Sequence, residues 1–316
     1  MTVQDEVIDV ALGIDANYAV HAAAVIASVS RYGKASRFRF IIVQEGVGPD
    51  LQKQIERLAP NAAFVWIEIG NDDVPAFQAR EHLTRSTLYR LGLEKLAPVD
   101  CRRIVYLDAD ITVIGDISEL WRTDLQSRPL GAVVDGFLAP DYGNGQLFHE
   151  RWSLPEGKYF NAGILVIDLQ QVREKKLFSK TIEFLAEHGR ELPFNDQDAL
   201  NHVFHNDWLP LSVAWNVQRR QSVSWEVRTI PAEMQLGDQR PLIVHYTGPE
   251  KPWLSTGYHP WSWIYWESLA HTPFLRAVAQ RQGVNRFKRV KLWLRWMMCK
   301  PKHTKLVGCD IFSAIR

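Results

Sequence analysis

The first half of the chain alternates short apolar runs with segments of helical periodicity. Apolar runs of strand length predict four strands, at Ile8–Ile14, Phe38–Val43, Ala63–Ile67 and Arg103–Leu107. Apolar residues at helical spacing predict three helices, at Ala19–Tyr32, Asp50–Leu58 and Ser86–Lys95, the last with Ser86 as a candidate cap. Strands that alternate with helices form mostly parallel sheets with helices on both faces. We therefore expect a Rossmann-like α/β fold.

The second half continues this alternation but carries longer loops. It predicts a short helix, two strands and a long helix, at Ile117–Trp121, Gly131–Val134, Tyr159–Leu169 and Gln170–His188. A loop rich in Gly and Pro spans Asp141–Gly157, Asn195 is expected to cap a further helix, and Leu242–Tyr246 is the last predicted strand. No repeat or linker breaks the pattern. We expect one continuous domain over residues 1–267 and a helical C-terminal extension over residues 268–316.

Two carboxylates follow directly on the predicted strand Arg103–Leu107. Side chains at i and i+2 of a strand point to the same face, so Asp108 and Asp110 can present their carboxylates together. Such hard oxygen ligands suit Mg²⁺, Mn²⁺ or Ca²⁺, which often bind substrate phosphates as well. A D-x-D triplet arises by chance about once in a chain of this length, and residues 196–198 are a second one. The triplet of Asp108 and Asp110 is the better candidate for a metal site, because it follows a strand, and open α/β sheets bind ligands beyond the carboxyl ends of their strands.

Composition argues against several classes of protein. Apolar residues make up 46% of the chain and charged residues 23%, which does not fit a disordered chain. The 12 Trp residues are typical of clefts that bind sugars or bases, or of membrane interfaces. The three Cys residues are odd in number and form no C-x-x-C motif, which favours a reducing compartment. The sequence has no signal peptide, membrane-spanning run or N-x-S/T site, so we expect a cytoplasmic protein.

Charge is unevenly distributed, although the net charge is only +1. Residues 268–316 hold 11 Lys and Arg against one acidic residue, whereas residues 1–267 are acidic overall. Two interpretations of this basic extension are open: a helix packed on the acidic body, or a helix that lies on an anionic membrane. We favour the membrane, because basic and Trp residues both suit its surface. The acidic body and the absence of known motifs argue against a nucleic-acid partner. Within the basic extension, apolar residues recur at helical spacing, with two Trp residues nearby: Phe287, Val290, Leu294 and Met297, with Trp293 and Trp296.

Six sequence blocks occur in a consistent order along the chain. They are IDANY, STLYRLGLEKL, IVYLDADITV, YFNAGILVIDL, NDQDALN and HYTGPEKPW. In these blocks the chain resembles glycosyltransferase family 8, the retaining, metal-dependent UDP-sugar transferases, and most of all its bacterial lipopolysaccharide and lipooligosaccharide galactosyl- and glucosyltransferases. The resemblance implies a GT-A-type fold with residues 1–267 as the catalytic domain.

The resemblance also implies an activity and a place. A hexose, galactose or glucose, would pass from a UDP-hexose donor to a saccharide or glycolipid acceptor, with Mn²⁺ or Mg²⁺ as cofactor. Such a reaction would serve surface-glycan synthesis, with the protein peripheral on the cytoplasmic face of a membrane.

Single residues receive roles from the same resemblance. Asp108 and Asp110 would bind the metal, with His245 as the third protein ligand, and Asp108 would also contact the donor. The other donor contacts would be Asp15, Asn17 and Tyr18 at the uridine, Gly248 and Lys251 at the diphosphate, Arg90 on the donor, and Asn161, Ala162, Asp196 and Gln197 at the hexose.

Most of these residues also have a purely structural interpretation. Tyr18 can pack in a turn, Arg90 can lie on a helix surface, His245 can be a packed side chain, and Asp196 can cap a helix. By resemblance, Asp196 and Gln197 are the catalytic candidates. A double displacement needs a nucleophile below the sugar ring, and the amide of Gln197 is a poor one. We therefore favour a front-side substitution, in which the leaving phosphate oxygen takes the acceptor proton.

Two other functions are open. A sugar-phosphate nucleotidyltransferase shares the α/β architecture and the acidic metal site, but it should carry a Gly-rich phosphate loop where this chain has IDANYAVH. A catalytically silent nucleotide-sugar-binding protein would keep the fold, and the complete set of metal ligands argues against it. The sequence leaves open the hexose, the acceptor and the oligomeric state.

Overall fold

The computed structural model describes residues 6–33, 37–70, 88–136, 159–205, 207–222, 230, 232–254 and 259–299, with the side chains of the last helix described through residue 294. The strands in these segments are β1 Val7–Asp15, β2 Arg37–Glu45, β3 Ala63–Glu68, β4 Arg103–Leu107, β5 Ile111–Val113, β6 Leu130–Val134, β7 Phe160–Asp168, β8 Trp208–Pro210 and β9 Ile243–His245. The α-helices are Ala19–Tyr32, Pro49–Glu56, Tyr89–Leu96, Ile117–Trp121, Leu169–Lys175, Leu177–His188, Asn195–Val203, Arg219–Ser222, Ser262–Ala270, Leu275–Arg281 and Arg286–Cys299. The predicted loop at 141–157 and the candidate cap Ser86 lie outside the described residues.

Seven of these strands form one sheet in the order β3-β2-β1-β4-β7-β6-β8. The first four strands in this order are parallel to one another, and β8 is parallel to β6. Strand β7 runs antiparallel to both of its neighbours, β4 and β6. The sheet is therefore mixed but mostly parallel, as the sequence predicts.

Each face of the sheet carries its own apolar core. In β1, Val10 and Leu12 belong to the core that includes helix Ala19–Tyr32, whereas Ala11 between them belongs to the opposite core. The opposite core includes residues of helices Tyr89–Leu96 and Leu177–His188. Successive side chains of a strand point to opposite faces, so a strand buried on both faces is apolar at nearly every position. This explains the apolar runs and confirms the predicted α/β fold with helices on both faces.

A second, two-stranded sheet lies just beyond the end of β4. Its strands β5 and β9 pair antiparallel, with Ile111 opposite His245. Because β5 starts directly after Asp110, the pairing carries His245 from a distant part of the chain to the aspartate pair. A parallel bridge between Val217 and Val244 adds a third segment beside β9.

The single helix predicted at Gln170–His188 is wrong, because the structure has two helices there. Lys176 separates them in the left-handed conformation, with φ of 55°. The carboxylate of Glu94 accepts the backbone N–H of Phe178 at 2.8 Å and so caps the second helix from the helix Tyr89–Leu96. A cap supplied by tertiary packing leaves no local pattern in the sequence.

Asn195 does not cap the helix Asn195–Val203, contrary to the prediction. The N-cap position is Phe194, and Asn195 itself has a positive φ of 39°. The buried Oδ1 of Asn195 has no hydrogen-bond partner among the described residues. Instead, Asp198 accepts the backbone N–H of Phe194 at 2.7 Å. The start of this helix is therefore held by a carboxylate one turn inside it.

The chain after β9 packs onto the core that contains helix Ala19–Tyr32. Trp266 is fully buried there, Val284 still belongs to this core, and Trp293 lies half-buried against it. Within the described parts of the chain, no helix combines the length and the apolar character needed to cross a membrane. The division between residues 1–267 and 268–316 stays a prediction.

Candidate active site

Two carboxylates and one imidazole meet at the carboxyl end of β4. Asp108 and Asp110 follow this strand, and the pairing of β5 with β9 brings in His245. His245 Nε2 lies 3.2 Å from an Asp110 oxygen and 3.9 Å from an Asp108 oxygen. One ligand atom from each residue lies within 4.8 Å of the other two. The three side chains can therefore hold one divalent cation, since oxygen and imidazole donors both suit such ions.

The backbone of β7 passes unusually close to this cluster. A Cβ atom at Gly163 would lie 2.2 Å from His245 Cε1 and 2.8 Å from an Asp108 oxygen. The Gly163 carbonyl also accepts the backbone N–H of Asp108 at 2.8 Å. The space that a side chain would fill is thus taken by the candidate ligands, and only glycine leaves them their positions.

Lys251 compensates the charge of Asp110. Its ammonium forms an ion pair with the Asp110 carboxylate and donates to the backbone carbonyl of Tyr246 at 2.8 Å. Burial alone would raise the pKa of Asp110, but Lys251 and His245 together hold that pKa well below its usual range. Gly248, in the same loop, has φ of 77°, a conformation that favours glycine.

Arg90 joins the aspartate pair to the second half of the site. Its guanidinium lies 3.0 Å from an Asp108 oxygen and 3.2 Å from an Asp196 oxygen, and it donates to the carbonyl of Ala162. The residue is only 4% exposed, so its interpretation as a surface side chain is wrong. Burial raises the pKa of Asp196 to about 6, although Arg90 lowers it. The ring of Tyr106 lies 4.7 Å from the Arg90 guanidinium carbon.

The amide of Gln197 is fixed at both ends. Its oxygen accepts from the backbone N–H of Ala162 at 3.0 Å and from the Asn161 amide at 3.1 Å. Its nitrogen donates to the Asp135 carboxylate at 3.2 Å and to the Tyr159 hydroxyl at 3.3 Å. The structure therefore brings Asn161, Ala162 and Gln197 together, beside Arg90 and Asp196.

The residues expected at the uridine form a turn after β1. Asp15 accepts hydrogen bonds from the backbone N–H groups of Asn17 and Tyr18, both at 2.9 Å. In this structure, the side chain of Asp15 therefore stabilises the turn. Burial, followed by the charges of Asp110, Asp15 and Asp108, raises the pKa of Tyr18 to about 12. Tyr18 packs edge-on against Trp253, with ring centroids 6.0 Å apart. The turn thus lies at the same end of the sheet as the metal ligands.

Comparison with known proteins identifies the family. The model of the glycosyl transferase family 8 matches residues 9–257, most of the chain. The chain belongs to glycosyl transferase family 8. The predicted family is thereby confirmed, and the protein is a glycosyltransferase.

Individual proteins of known sequence resemble the chain over most of its length. General stress protein A of Bacillus subtilis (strain 168) is 29% identical over 278 residues, which are 85% of this chain and 95% of that protein. A lipopolysaccharide 1,2-glucosyltransferase of Escherichia coli (strain K12) is 26% identical over 273 residues, 85% of this chain and 79% of that protein.

A solved structure supports the same fold. The galactosyltransferase LgtC, crystallised with donor and acceptor sugar analogs, aligns with a TM-score of 0.72 and 23% identity, over 84% of this chain and 96% of that chain. At this identity the likeness concerns the fold alone. It confirms the GT-A-type architecture expected of a family 8 glycosyltransferase.

Sequence reasoning missed three residues that connect the site. Asp135 directly follows β6 and receives hydrogen bonds from Asn161 and Gln197. Tyr159 donates to Asp198, and Asn216 lies between Asn161 and His245. The position of Asp135 just after a predicted strand was an available clue, as for Asp108. Asn216 and Tyr159 follow no strand, and only their tertiary contacts single them out.

Proposed function

We propose that this family 8 glycosyltransferase moves a hexose, galactose or glucose, from a UDP-sugar to a hydroxyl of a saccharide or glycolipid, with retention at the anomeric carbon. The observation that carries the proposal is that two sets of residues meet. The first set is Asp108, Asp110 and His245, and the second is Asn161 with Gln197. Asp108 follows β4, and Asn161 lies on the neighbouring strand β7. The names of the relatives support a hexosyl donor and a role in lipopolysaccharide or surface-glycan synthesis.

Mn²⁺ fits the metal ligands better than Mg²⁺. Mg²⁺ prefers a near-octahedral shell of oxygens, whereas Mn²⁺ accepts an imidazole nitrogen more readily. Asp108, Asp110 and His245 would hold the cation, and the close approach of Gly163 supports such a fit. A bound Mn²⁺ would supply positive charge to the diphosphate as UDP leaves.

The protein residues divide the donor between them. Lys251 carries positive charge beside Asp110, and Gly248 offers a backbone N–H in an open loop, so both would hold the diphosphate. Gln197 would position the hexose, with Asn161 and Ala162 beside it. At the far end, the uridine would be bound by Asp15, Asn17 and Tyr18, and Arg90 would steady the donor from the sheet side.

The contacts of Asp196 and Gln197 favour a front-side substitution. Asp196 is buried against Arg90, and both ends of the Gln197 amide are hydrogen-bonded, so neither group is poised as a nucleophile. The bond from the anomeric carbon to the acceptor oxygen forms as the bond to UDP breaks, and the acceptor proton passes to the leaving phosphate oxygen. A covalent glycosyl-enzyme on Asp196, trapped and found by mass spectrometry, would overturn this mechanism.

The deciding experiment measures UDP release from a panel of UDP-sugars, with Mn²⁺, with Mg²⁺ and with excess chelator. We expect release from UDP-galactose or UDP-glucose with Mn²⁺, less with Mg²⁺ and none with chelator. The variant Asp108→Asn is the matched control. Pyrophosphate formed from UTP and a sugar phosphate would instead indicate a nucleotidyltransferase, and metal-dependent UDP-sugar binding without turnover would indicate a binding protein.

We also infer that the last described helix, Arg286–Cys299, lies on an anionic membrane. Phe287 and Leu294 are 76% and 49% exposed, and the exposed Lys291 lies between them at helical spacing. These three residues form one exposed stripe, in which the two apolar side chains offer contact area and Lys291 offers positive charge to an anionic membrane surface. A glycolipid acceptor would be presented at the same surface.

Vesicle co-sedimentation tests this association. The double variant Phe287→Ser with Leu294→Ser should lose most binding to anionic vesicles while UDP release from the donor stays normal. The control is Val99→Ser, because Val99 is 95% exposed on another part of the protein. Equal vesicle binding by wild type and the double variant would reject the membrane role.

A further inference from the structure

We infer that Asn216 is a positioning residue, which orients His245 for metal binding and fixes Asn161 beside the hexose site. The inference rests on the function proposed above and deepens it. Asn216 follows the 3₁₀ helix Val213–Trp215, and its side chain is fully buried. Its backbone N–H donates to Val213 at 3.0 Å, and the next residue, Val217, accepts the backbone N–H of His245 at 3.0 Å. The backbone therefore holds Asn216 at a fixed place beside the imidazole.

Two backbone donors determine which way the amides point. The N–H of Gly163 donates to a side-chain atom of Asn161 at 3.0 Å, so that atom must be the oxygen. In the same way, the N–H of Ala162 donates to the Gln197 oxygen at 3.0 Å. A flipped amide would place an NH₂ group against an N–H donor, which makes no hydrogen bond. Neither amide can be reversed.

The same logic passes from Asn161 through Asn216 to His245. Because the Asn161 oxygen accepts, the Asn216 atom 2.9 Å away must be the donor Nδ2. The other end of this amide is then the acceptor Oδ1, and it lies 3.0 Å from His245 Nδ1. A neutral His245 therefore carries its proton on Nδ1 and keeps its lone pair on Nε2, the nitrogen nearest Asp108 and Asp110. This is the tautomer that metal binding through Nε2 requires.

Asn216 thus serves two neighbours through two different groups. Its oxygen accepts from His245, and its nitrogen donates to Asn161, whose own amide nitrogen donates to Asp135 and Gln197. Asn216→Ala removes both contacts. Asn216→Asp keeps an acceptor toward His245 but sets a second acceptor against the Asn161 oxygen. The two variants therefore separate the metal side of the site from the hexose side.

Mn²⁺ binding, followed by electron paramagnetic resonance without donor or acceptor, is the main measurement. Asn216→Ala should weaken Mn²⁺ binding about 10- to 100-fold, as is typical when the partner of a metal-bound histidine is lost. Asn216→Asp should keep the wild-type Mn²⁺ affinity. Its kcat for transfer should fall at unchanged UDP affinity, because repulsion between the new carboxylate and the Asn161 oxygen displaces the Asn161 side chain from its place beside Gln197.

Asn201→Ala is the matched control for a purely structural effect. Asn201 is a buried asparagine that exchanges hydrogen bonds of 2.8 and 2.9 Å with the backbone of Phe160, at the start of the same strand that carries Asn161. Its variant should lower the melting temperature and leave Mn²⁺ binding unchanged. A comparable loss of Mn²⁺ affinity in Asn201→Ala would count against a specific role for Asn216.

Several outcomes would overturn the inference. They are wild-type Mn²⁺ affinity in Asn216→Ala, equal Mn²⁺ losses in Asn216→Ala and Asn216→Asp, or no Mn²⁺ binding by the wild-type protein. If Asn216→Ala does not fold, Asn216→Asp decides alone, through retained Mn²⁺ affinity with a lowered kcat. A wild-type protein that binds Mn²⁺ but transfers no hexose would refute the proposed function, while the Mn²⁺ titrations would still test Asn216.

Discussion

Gly163→Ala adds one methyl group at the point where β7 passes the metal ligands. The conformation of Gly163 is not left-handed, so an alanine would not strain the backbone itself. The added Cβ would nevertheless lie 2.2 Å from His245 Cε1 and 2.8 Å from an Asp108 oxygen. The imidazole is buried and also bonded to Asn216, and the strand is paired on both sides, so neither can move freely.

The size of the effect follows from these distances. An ordinary carbon–carbon contact is about 3.5 Å, so the imidazole must retreat by about 1.3 Å. Metal sites tolerate deviations of only about 0.2 Å in ligand distance, so such a retreat removes His245 as a ligand. We expect Mn²⁺ affinity to fall by about 100-fold, or about 2.7 kcal/mol. Overpacking should also lower the stability of the fold by about 1–3 kcal/mol.

The assay is Mn²⁺ titration of the wild type and of Gly163→Ala, with urea unfolding of each. Gly48→Ala is the control, because a Cβ there would meet no atom within 4 Å. The same substitution in a His245→Ala background supplies a stricter test. Most of the clash is then gone, so the added loss should shrink to the part contributed by Asp108. Wild-type Mn²⁺ affinity in Gly163→Ala would refute the reasoning.

Three further predictions concern charge and the division of the site. Asp108→Asn should abolish transfer while the fold is kept, and transfer by wild type in excess chelator would contradict this. Gln197→Ala should lower kcat at unchanged UDP affinity, whereas Lys251→Ala should weaken UDP binding. Equal UDP affinities of the two variants in calorimetry would show that the site is not divided into a hexose side and a diphosphate side. Burial raises the pKa of Asp198 from 3.8 to about 6, although Tyr159 lowers it, so the folded state holds this proton more tightly than the unfolded state. As the pH rises from about 4 to about 6, wild type should therefore lose up to about 3 kcal/mol of unfolding free energy relative to Asp198→Asn. A difference in urea midpoint between the two proteins that does not change over this pH range would refute the prediction.

The strands most accessible to sequence reasoning are those buried on both faces. β1, β2 and β4 are mostly apolar, because neighbouring residues enter opposite cores, and their predicted bounds hold within about two residues. The three-residue strands β5 and β8 were not predicted. So short a strand has no periodicity, and β5 exists only because β9 pairs with it from a distant part of the chain.

Similar limits apply to the site. Asp108 and Asp110 could be placed from sequence because they end a buried strand, and their position needs no distant partner. The burial of Arg90 could not be predicted, since it depends on Asp108 and Asp196, which lie on other elements. Asn216 follows no recognisable pattern. Its importance lies in a chain of hydrogen bonds that exists only after three separate segments have packed together.

The C-terminal helix illustrates why an amphipathic pattern can be compatible with two interpretations. Trp293 packs against the core, and the Arg289 guanidinium lies 5.6 Å from the ring of Trp266, so one face of the helix belongs to the body. Phe287 and Leu294 lie on the exposed face. Packing on the body therefore does not exclude contact with a membrane. It does mean that deleting residues 284–316 would remove core packing together with the exposed face, so a loss of vesicle binding by that deletion could not be assigned to the membrane face. Substitutions confined to the exposed stripe make that assignment, since they leave the packed face untouched.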